Sequence, residues 1–254
     1  MARLSLPSVT LCAATSVNVS ATVAALRSSL DQIDFAESIL FTDADLSPSP
    51  PGIRRVGIDR IGSAADYSNF LLHGLVQHVR TEHCLIVQWD GFVVDAKQWD
   101  PCFLDCDYIG AVWPQFDDGH DVGNGGFSLR SRKLLEACLD RRFQGGHPED
   151  VTICRLNRPF LESEHGIRFG DRALANHFSF ERHRPAQPTF GFHGVFNMVE
   201  ALGVERFWEV YRTLDDRRTV FVDFRELMGQ LRGASNSFAK RSRLTADMAK
   251  AWLT

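Results

Sequence analysis

The sequence predicts an α/β fold: a mixed, mainly parallel sheet flanked by helices, with a helical C-terminal extension. Three observations predict it. Short apolar runs alternate with amphipathic stretches of helical period as far as Asp90. Each run ends in polar residues, at Thr15-Ser16, Thr42-Asp43 and Gln88-Trp89-Asp90. Residues 197–254 then carry helical periodicity without strand-like runs. At 254 residues the chain has material for one large core. The division expected is 1–197 for the main α/β domain and 198–254 for the extension.

In chain order, residues 8–14 read as a first strand and 20–31 as a helix, capped by Ser20 with Val23, Leu26 and Leu30 on one face. Residues 37–41 make a second strand and complete a β-α-β unit. The Pro-rich stretch 46–51 is a loop, and 55–58 a short third strand. Residues 64–80 carry a helix with Phe70, Leu71, Leu75, Val76 and Val79 spaced for burial. The apolar run 84–87 is the pattern of a strand buried on both faces. Beyond it, strands are expected at 92–94, 108–113 and 177–181, a loop at 114–124, helices at 132–140 and 149–157, and a Gly-flanked turn at 190–194. Residues 204–214 and 221–231 are the clearest helices of the extension.

Composition removes several function classes. A net charge of −4 argues against a nucleic-acid binder that works through backbone contacts. No run reaches the length of a membrane span, and the N-terminus lacks the pattern of a secretion signal. The six Cys (12, 84, 102, 106, 138, 154) form no Cys-x-x-Cys pair, so a reducing cytoplasm is the expected setting. No Gly-Lys-Ser/Thr phosphate loop, Gly-x-Ser-x-Gly elbow or His-Glu-x-x-His pattern occurs.

Asp90-Gly91 puts a carboxylate where a buried strand leaves the sheet, and in open α/β folds ligands bind outside the carboxyl ends of the strands. It is either a metal or phosphate site or a plain turn. Three further landmarks follow: Gly123-Asn124-Gly125-Gly126-Phe127-Ser128-Leu129-Arg130, His147-Pro148-Glu149-Asp150 and Phe190-Gly191-Phe192-His193-Gly194. In this order the four motifs resemble the GT-A class of nucleotide-sugar glycosyltransferases (a Rossmann-related fold). They resemble most a group of glycosyltransferase-like proteins known as a domain of unknown function. The resemblance spans roughly residues 8–197.

The resemblance implies a transfer of sugar from a nucleotide-diphosphate-sugar donor to an acceptor hydroxyl in glycan or polysaccharide synthesis, with Mn²⁺ or Mg²⁺ at the diphosphate. Gln88-Trp89-Asp90 stands at the family's Asp-x-Asp position, so only Asp90 keeps a carboxylate there; His193 matches the late His ligand. Asp43-Ala44-Asp45 spells the motif but follows the wrong strand. Gly125 and Gly126 match the turn that lines the sugars. Glu149 and Asp150 match the acidic base of an inverting transfer, Asp150 ahead of Glu149, the alternative being acids that decorate a first helical turn. Thr15, Ser16 and Asn18, with Tyr67 and Ser68, are candidates for the nucleotide pocket; Tyr67 equally suits helix packing. Arg130 suits either phosphate or a structural carboxylate. The other His residues read as surface or core. The basic residues Lys240, Arg241, Arg243 and Lys250 suit either peripheral membrane contact or a solvated helix face. Competing functions are a catalytically silent glycan- or nucleotide-binding module and a metal-dependent phosphoester hydrolase using Asp90, Asp150 and His193.

Overall fold

The computed structural model describes residues 3–252. The chain divides into two compact units, Met1–His193 and Gly194–Thr254. In the first, β1 (Leu4–Ala14) leads through α1 (Val19–Leu30) to β2 (Ile33–Thr42) and β3 (Arg54–Gly57). Next come α2 (Ala64–Asn69) and β4 (His83–Ile86), then the short strands β5 (Tyr108–Ile109), β6 (Ala111–Val112) and β7 (Val122–Gly123). β8 (Ser128–Ser131), α3 (Arg132–Ala137), α4 (Glu149–Val151), α5 (Arg158–His165), α6 (Arg172–Phe178), β9 (Ser179–Phe180) and β10 (Gly191–Phe192) complete it.

Among the described residues, six strands form the main sheet in the order β3-β2-β1-β4-β8-β5. β3, β2, β1 and β4 run parallel, whereas β8 is antiparallel to both β4 and β5. This is the mixed, mainly parallel sheet expected, its parallel part being what the alternating pattern predicts. β1 is longer than expected because its start, Leu4–Leu6, also pairs with β2, across a register shift that spans Pro7; a residue without an N–H cannot complete a ladder there. Cys12, Ile39, Phe41, Cys84 and Ile86 share one core cluster with Leu71, Leu75, Val76 and Val79. Leu11, Ala13, Leu40 and Leu85 alternate with them and are equally buried. Both faces of the central strands are therefore covered, as their continuous apolar runs require.

Several elements differ from expectation. The predicted helix 64–80 is α only over Ala64–Asn69, where Ser63 caps it by accepting from Asp66 N–H; it widens to a π turn over Phe70–Gly74 and tightens over Leu75–Gln77. The Phe70 ring, packed on Phe41, lies 2.7 Å from where a Cβ on Gly74 would stand, so the glycine admits the ring. The predicted helix 149–157 likewise passes into a π turn after Val151. α5 is not among the expected elements; Pro159 sits in its first turn, where no N–H is needed. The predicted strand 177–181 is strand only at Ser179–Phe180; its first two residues end α6, which starts at Arg172 where Asp171 Oδ1 accepts Leu174 N–H. Residues 92–94 form only one bridge, Val93 to Gly191. Phe103, Phe127, Phe178 and Phe190 form a buried cluster with ring centroids 5.1–6.2 Å apart, a use for the 19 Phe in the chain.

The second unit is helical: α7 (Met198–Leu202), α8 (Val204–Thr213), α9 (Arg218–Val222), α10 (Phe224–Gln230) and α11 (Ser237–Ala251). Its basic residues are partly neutralised within the unit, Lys240 being buried against Glu205 and Arg243 paired with Asp247. No helix among the described residues is long and apolar enough to cross a membrane. Leu85 sits at the centre of the main sheet and is fully buried. Leu85→Ala is expected to lower stability by about 2–5 kcal/mol in urea unfolding followed by circular dichroism.

Candidate functional site

The site forms where β4 ends. Gln88-Trp89-Asp90-Gly91 turns back on itself there, Gln88 N–H donating to Gly91 O (2.9 Å) and Gly91 N–H to Gln88 O (3.1 Å). Because β8 is antiparallel to β4, with Ile86 opposite Ser128, the residues just before β8 arrive beside that turn. These are Gly125 and Gly126. A cavity of about 290 Å³ opens at this point, near the lower end of small-molecule sites (roughly 300–1,000 Å³). Of the residues singled out from sequence, Tyr67, Ser68, Gln88, Gly125, Gly126, Glu149, Asp150 and His193 line it together.

The others lie elsewhere. Thr15 bonds Val17, Ser16 Oγ accepts from Ile61 N–H (2.8 Å), and Asn18 starts α1 in the left-handed conformation. None of the three lines the cavity, nor do Trp89, Asp90 or Arg130. Arg130 is fully buried behind the wall. Its Nη2 donates to Glu149 Oε1 (3.0 Å), its Nε to Ser128 Oγ (3.0 Å), and the guanidinium lies 5.4 Å from the Tyr108 ring centroid. Of the two partners open to it from sequence, the one it contacts is the carboxylate.

The adjacent acids have different surroundings. Glu149 is 4% exposed; Arg130 holds Oε1, and Ser68 Oγ donates to Oε2 (3.1 Å). Gly125 packs so close that a Cβ there would stand 2.0 Å from Glu149 Oε1. Asp150 is less buried and faces the cavity; its Oδ2 accepts Gly125 N–H (3.1 Å) and its Oδ1 accepts Val151 N–H (2.8 Å). Burial pushes its carboxyl above the ordinary range, and the charge of Glu149 adds to the rise. Burial also raises the Tyr67 phenol, again with Glu149 contributing. Its hydroxyl is buried near Gln88 without a hydrogen bond of good geometry.

His193 lies between three acceptors. Its Nδ1 is 3.1 Å from Glu181 Oε1, and its Nε2 is 3.1 Å from Gln88 Oε1 and 3.8 Å from Asp90 Oδ1. Burial opposes its charge, but Asp90 and then Glu181 outweigh burial and lift the imidazole to about 9. The ring fits because Gly126 and Gly91 lack side chains; a Cβ would stand 2.0 Å and 2.7 Å from it. Among the described residues, no group of three or more His, Cys, Asp or Glu side chains is placed to hold a metal ion. Asp90 and His193 do meet, and such a pair fits Mg²⁺ or Mn²⁺ where substrate phosphates complete the shell. Glu181 on Nδ1 is the kind of outer partner that orients a ligating imidazole.

Six further residues line the cavity that were not site candidates from sequence: Ala64, Trp113, Asn124, His147, Pro148 and Glu181. His147, read as surface or core, bonds Ser68 Oγ through Nδ1 (2.8 Å). It is part of the His147-Pro148-Glu149-Asp150 motif, and that membership was the available signal. Asn124 had one too, as an Asn just before two glycines, and it adopts φ 70°. Trp113 and Glu181 gave none.

The fold and the site thus define an α/β protein with an acidic, ligand-sized cavity at the carboxyl end of a mainly parallel sheet. Residues 52–193, more than half the chain, match the family described as Protein of unknown function (DUF5672), and the chain belongs to that family. The match takes in the four landmark motifs except Gly194, and is shorter than the 8–197 expected. No curated protein matches the sequence. Among solved structures, the chain is similar to the mannosyltransferase PcManGT from Pyrobaculum calidifontis in complex with GDP-Man and Mn²⁺, at 12% identity over 97% of this chain and 77% of that one, with a TM-score of 0.44. It is similar to a glycosyltransferase involved in glycosylation of the major capsid of PBCV-1, at 12% identity over 74% and 94%, TM-score 0.41. It is also similar to the glycosyltransferase GlyE of Streptococcus pneumoniae TIGR4 in its apo form, at 14% identity over 88% and 63%, TM-score 0.43. Similarity at this level assigns no activity, so function is read from the chain's own site.

Arg130→Met is expected to cost about 3–5 kcal/mol in urea unfolding, since it strands Glu149 as an uncompensated buried charge. Adding Glu149→Gln should recover part of that loss.

Proposed function

We propose that the protein is a glycosyltransferase that moves a sugar from a nucleotide-diphosphate-sugar donor to an acceptor hydroxyl, with inversion, in glycan or polysaccharide synthesis. The observation that carries this reading is Asp150. It is a carboxylate with a raised pKa, oriented by a backbone N–H, on the wall of a cavity that also holds Gln88 and His193 at the end of β4. A base for an acceptor hydroxyl must be ionised yet basic enough to take the proton, and partial burial supplies both conditions near neutral pH. Glu149, with both oxygens engaged, holds the turn that presents Asp150. The unit Met1–His193 is the catalytic domain and the helical unit an extension.

Asp90 and His193 would hold a divalent ion, Mn²⁺ or Mg²⁺, with Gln88 as an amide-oxygen neighbour. Such an ion supplies charge neutralisation at the leaving diphosphate. Gly125 and Gly126 present backbone to the sugar, and Tyr67 and Ser68 form the opposite wall. Thr15, Ser16, Asn18 and Trp89 remain candidates for the nucleoside, outside this cavity. We place the protein in the cytoplasm, where its six free cysteines stay reduced. α11, with Phe238 and Trp252 exposed near Arg243 and Lys250, is the face for any contact with the inner side of a membrane.

One observation favours a second reading, the catalytically silent binding module: no three-residue metal group forms among the described residues. Turnover separates the two. The purified protein with Mn²⁺ is expected to release nucleotide from a nucleotide-sugar donor, and Asp150→Asn to lower kcat by about 10²–10⁴-fold with donor affinity retained. Donor binding with no turnover, unchanged by Asp150→Asn, would establish the silent module. Because the base works ionised and its pKa is raised, kcat/KM should fall on the acid side at a pH above the ordinary Asp value of about 3.9. That limb should be missing from the residual activity of Asp150→Asn. Asp90→Ala is expected to abolish Mn²⁺-dependent thermal stabilisation by the donor; an unaltered shift would mean that Asp90 does not serve the ion.

A further inference from the structure

Asn124 carries a buried hydrogen-bond donor that the protein itself leaves without a partner. The residue is 3% exposed and lines the cavity. Its Oδ1 accepts Gly126 N–H at 3.0 Å, which settles the orientation of the amide, since only an oxygen can face that donor. The other end, Nδ2, is buried and makes no hydrogen bond. Buried amide donors are satisfied in nearly all native structures, so an unsatisfied one on a cavity wall points to a ligand atom. The backbone supports the same conclusion. Asn124 is held at φ 70°, a conformation that costs energy in most residues but that Asn tolerates.

We propose that Asn124 reads a hydroxyl oxygen of the hexose bound in this cavity, a role that rests on the glycosyltransferase reading of the site. Electrostatics selects the hydroxyl over a phosphate. Glu149, Asp150 and Glu181 line the same cavity. Arg130 balances Glu149 and His193 pairs with Glu181, but among the described residues Asp150 has no cationic side chain paired with it, and a phosphate beside it would be repelled. A sugar hydroxyl accepts from Asn124 Nδ2–H and keeps its own proton to donate to a carboxylate. Sequence distance selects the sugar over the nucleoside. Asn124 precedes Gly125, whose N–H holds Asp150, so a ligand atom at Nδ2 lies near the proton-accepting carboxylate and therefore near the reacting sugar. The hydroxyl belongs either to the donor hexose or to an acceptor hexose.

Two variants test this. Asn124→Asp keeps the oxygen that accepts Gly126 N–H, tolerates the backbone and removes the donor. Asn124→Gly fits the positive φ without adding charge, and guards against the effect of a new carboxylate in Asn124→Asp. Calorimetric binding to the full-length protein with Mn²⁺ would use GDP-mannose, UDP-glucose and UDP-galactose, with GDP and UDP as controls lacking the sugar. Free mannose, glucose and galactose would be titrated onto the nucleoside-diphosphate complex. The expected result is that both variants bind a nucleotide sugar about 3- to 10-fold more weakly than the native protein while binding the bare nucleotide equally well. Weakening confined to the free hexose would place the hydroxyl on the acceptor and support the proposal equally. Unchanged binding of every hexose-containing ligand, with turnover still lost in Asp150→Asn, would overturn the role of Asn124 alone. So would a loss shared equally by GDP and UDP. A native protein that binds none of the nucleotide sugars would overturn the glycosyltransferase reading and this role with it.

Discussion

The buried ion pair between Arg130 and Glu149 is the interaction on which the site depends. It joins β8 to α4, and through Ser68 it reaches α2. Two charges taken out of water repay their desolvation only when the geometry is good and their remaining hydrogen-bonding groups are also used. Much of that condition is met here. Arg130 also reaches Ser128 and Gly125 O, and Glu149 has both oxygens engaged and donates its own N–H to Ser68 Oγ. Gly125 has no side chain because the Glu149 carboxylate occupies the space a Cβ would need.

The pair also divides the work between neighbouring acids. Glu149 is committed to Arg130 and Ser68, whereas Asp150 faces the cavity with a raised pKa. Two carboxylates in distinct environments can take distinct roles, and here the environment is set by which one the buried guanidinium contacts. The Phe cluster supports the arrangement from beneath. Phe127 follows Gly126 directly and packs at a tilt on Phe178 and Phe190, and a Cβ on Gly191 would strike its ring. Phe190 is three residues from His193, so one packed cluster steadies both the Gly-Gly turn and the imidazole.

Around His193, Asp90 and Glu181 create a demand for positive charge; with no ion bound they lift the imidazole to about 9, and an ion held at Nε2 would displace that proton. Gln88 contributes an oxygen without a charge, so the local count is two carboxylates and one imidazole rather than three carboxylates and an imidazole. Glu181 lies 93 positions beyond Gln88 in the chain and gives no local sign of its place.

The sequence by itself determined the alternation of strands and helices and the burial of β4 on both faces. It also determined the order of the four motifs that meet at the cavity. Those features follow from periodicity and local residue chemistry, which neighbouring residues carry. Tertiary structure alone decided that β8 runs against β4, which brings Gly125 and Gly126 to the Gln88 turn; strand direction depends on pairing between distant segments, not on the composition of either one. It decided where α helix gives way to π turns, at Phe70 and Thr152, because packing there outweighs local propensity. It left Thr15, Ser16 and Asn18 in the turn after β1, outside the cavity, and brought Asn124, His147 and Glu181 to its wall. Which of the two adjacent acids is held by a buried guanidinium was likewise settled by a partner, Arg130, that lies on β8. A side chain's chemistry is written in the sequence, but its solvent and its charge partners come from residues far away in the chain.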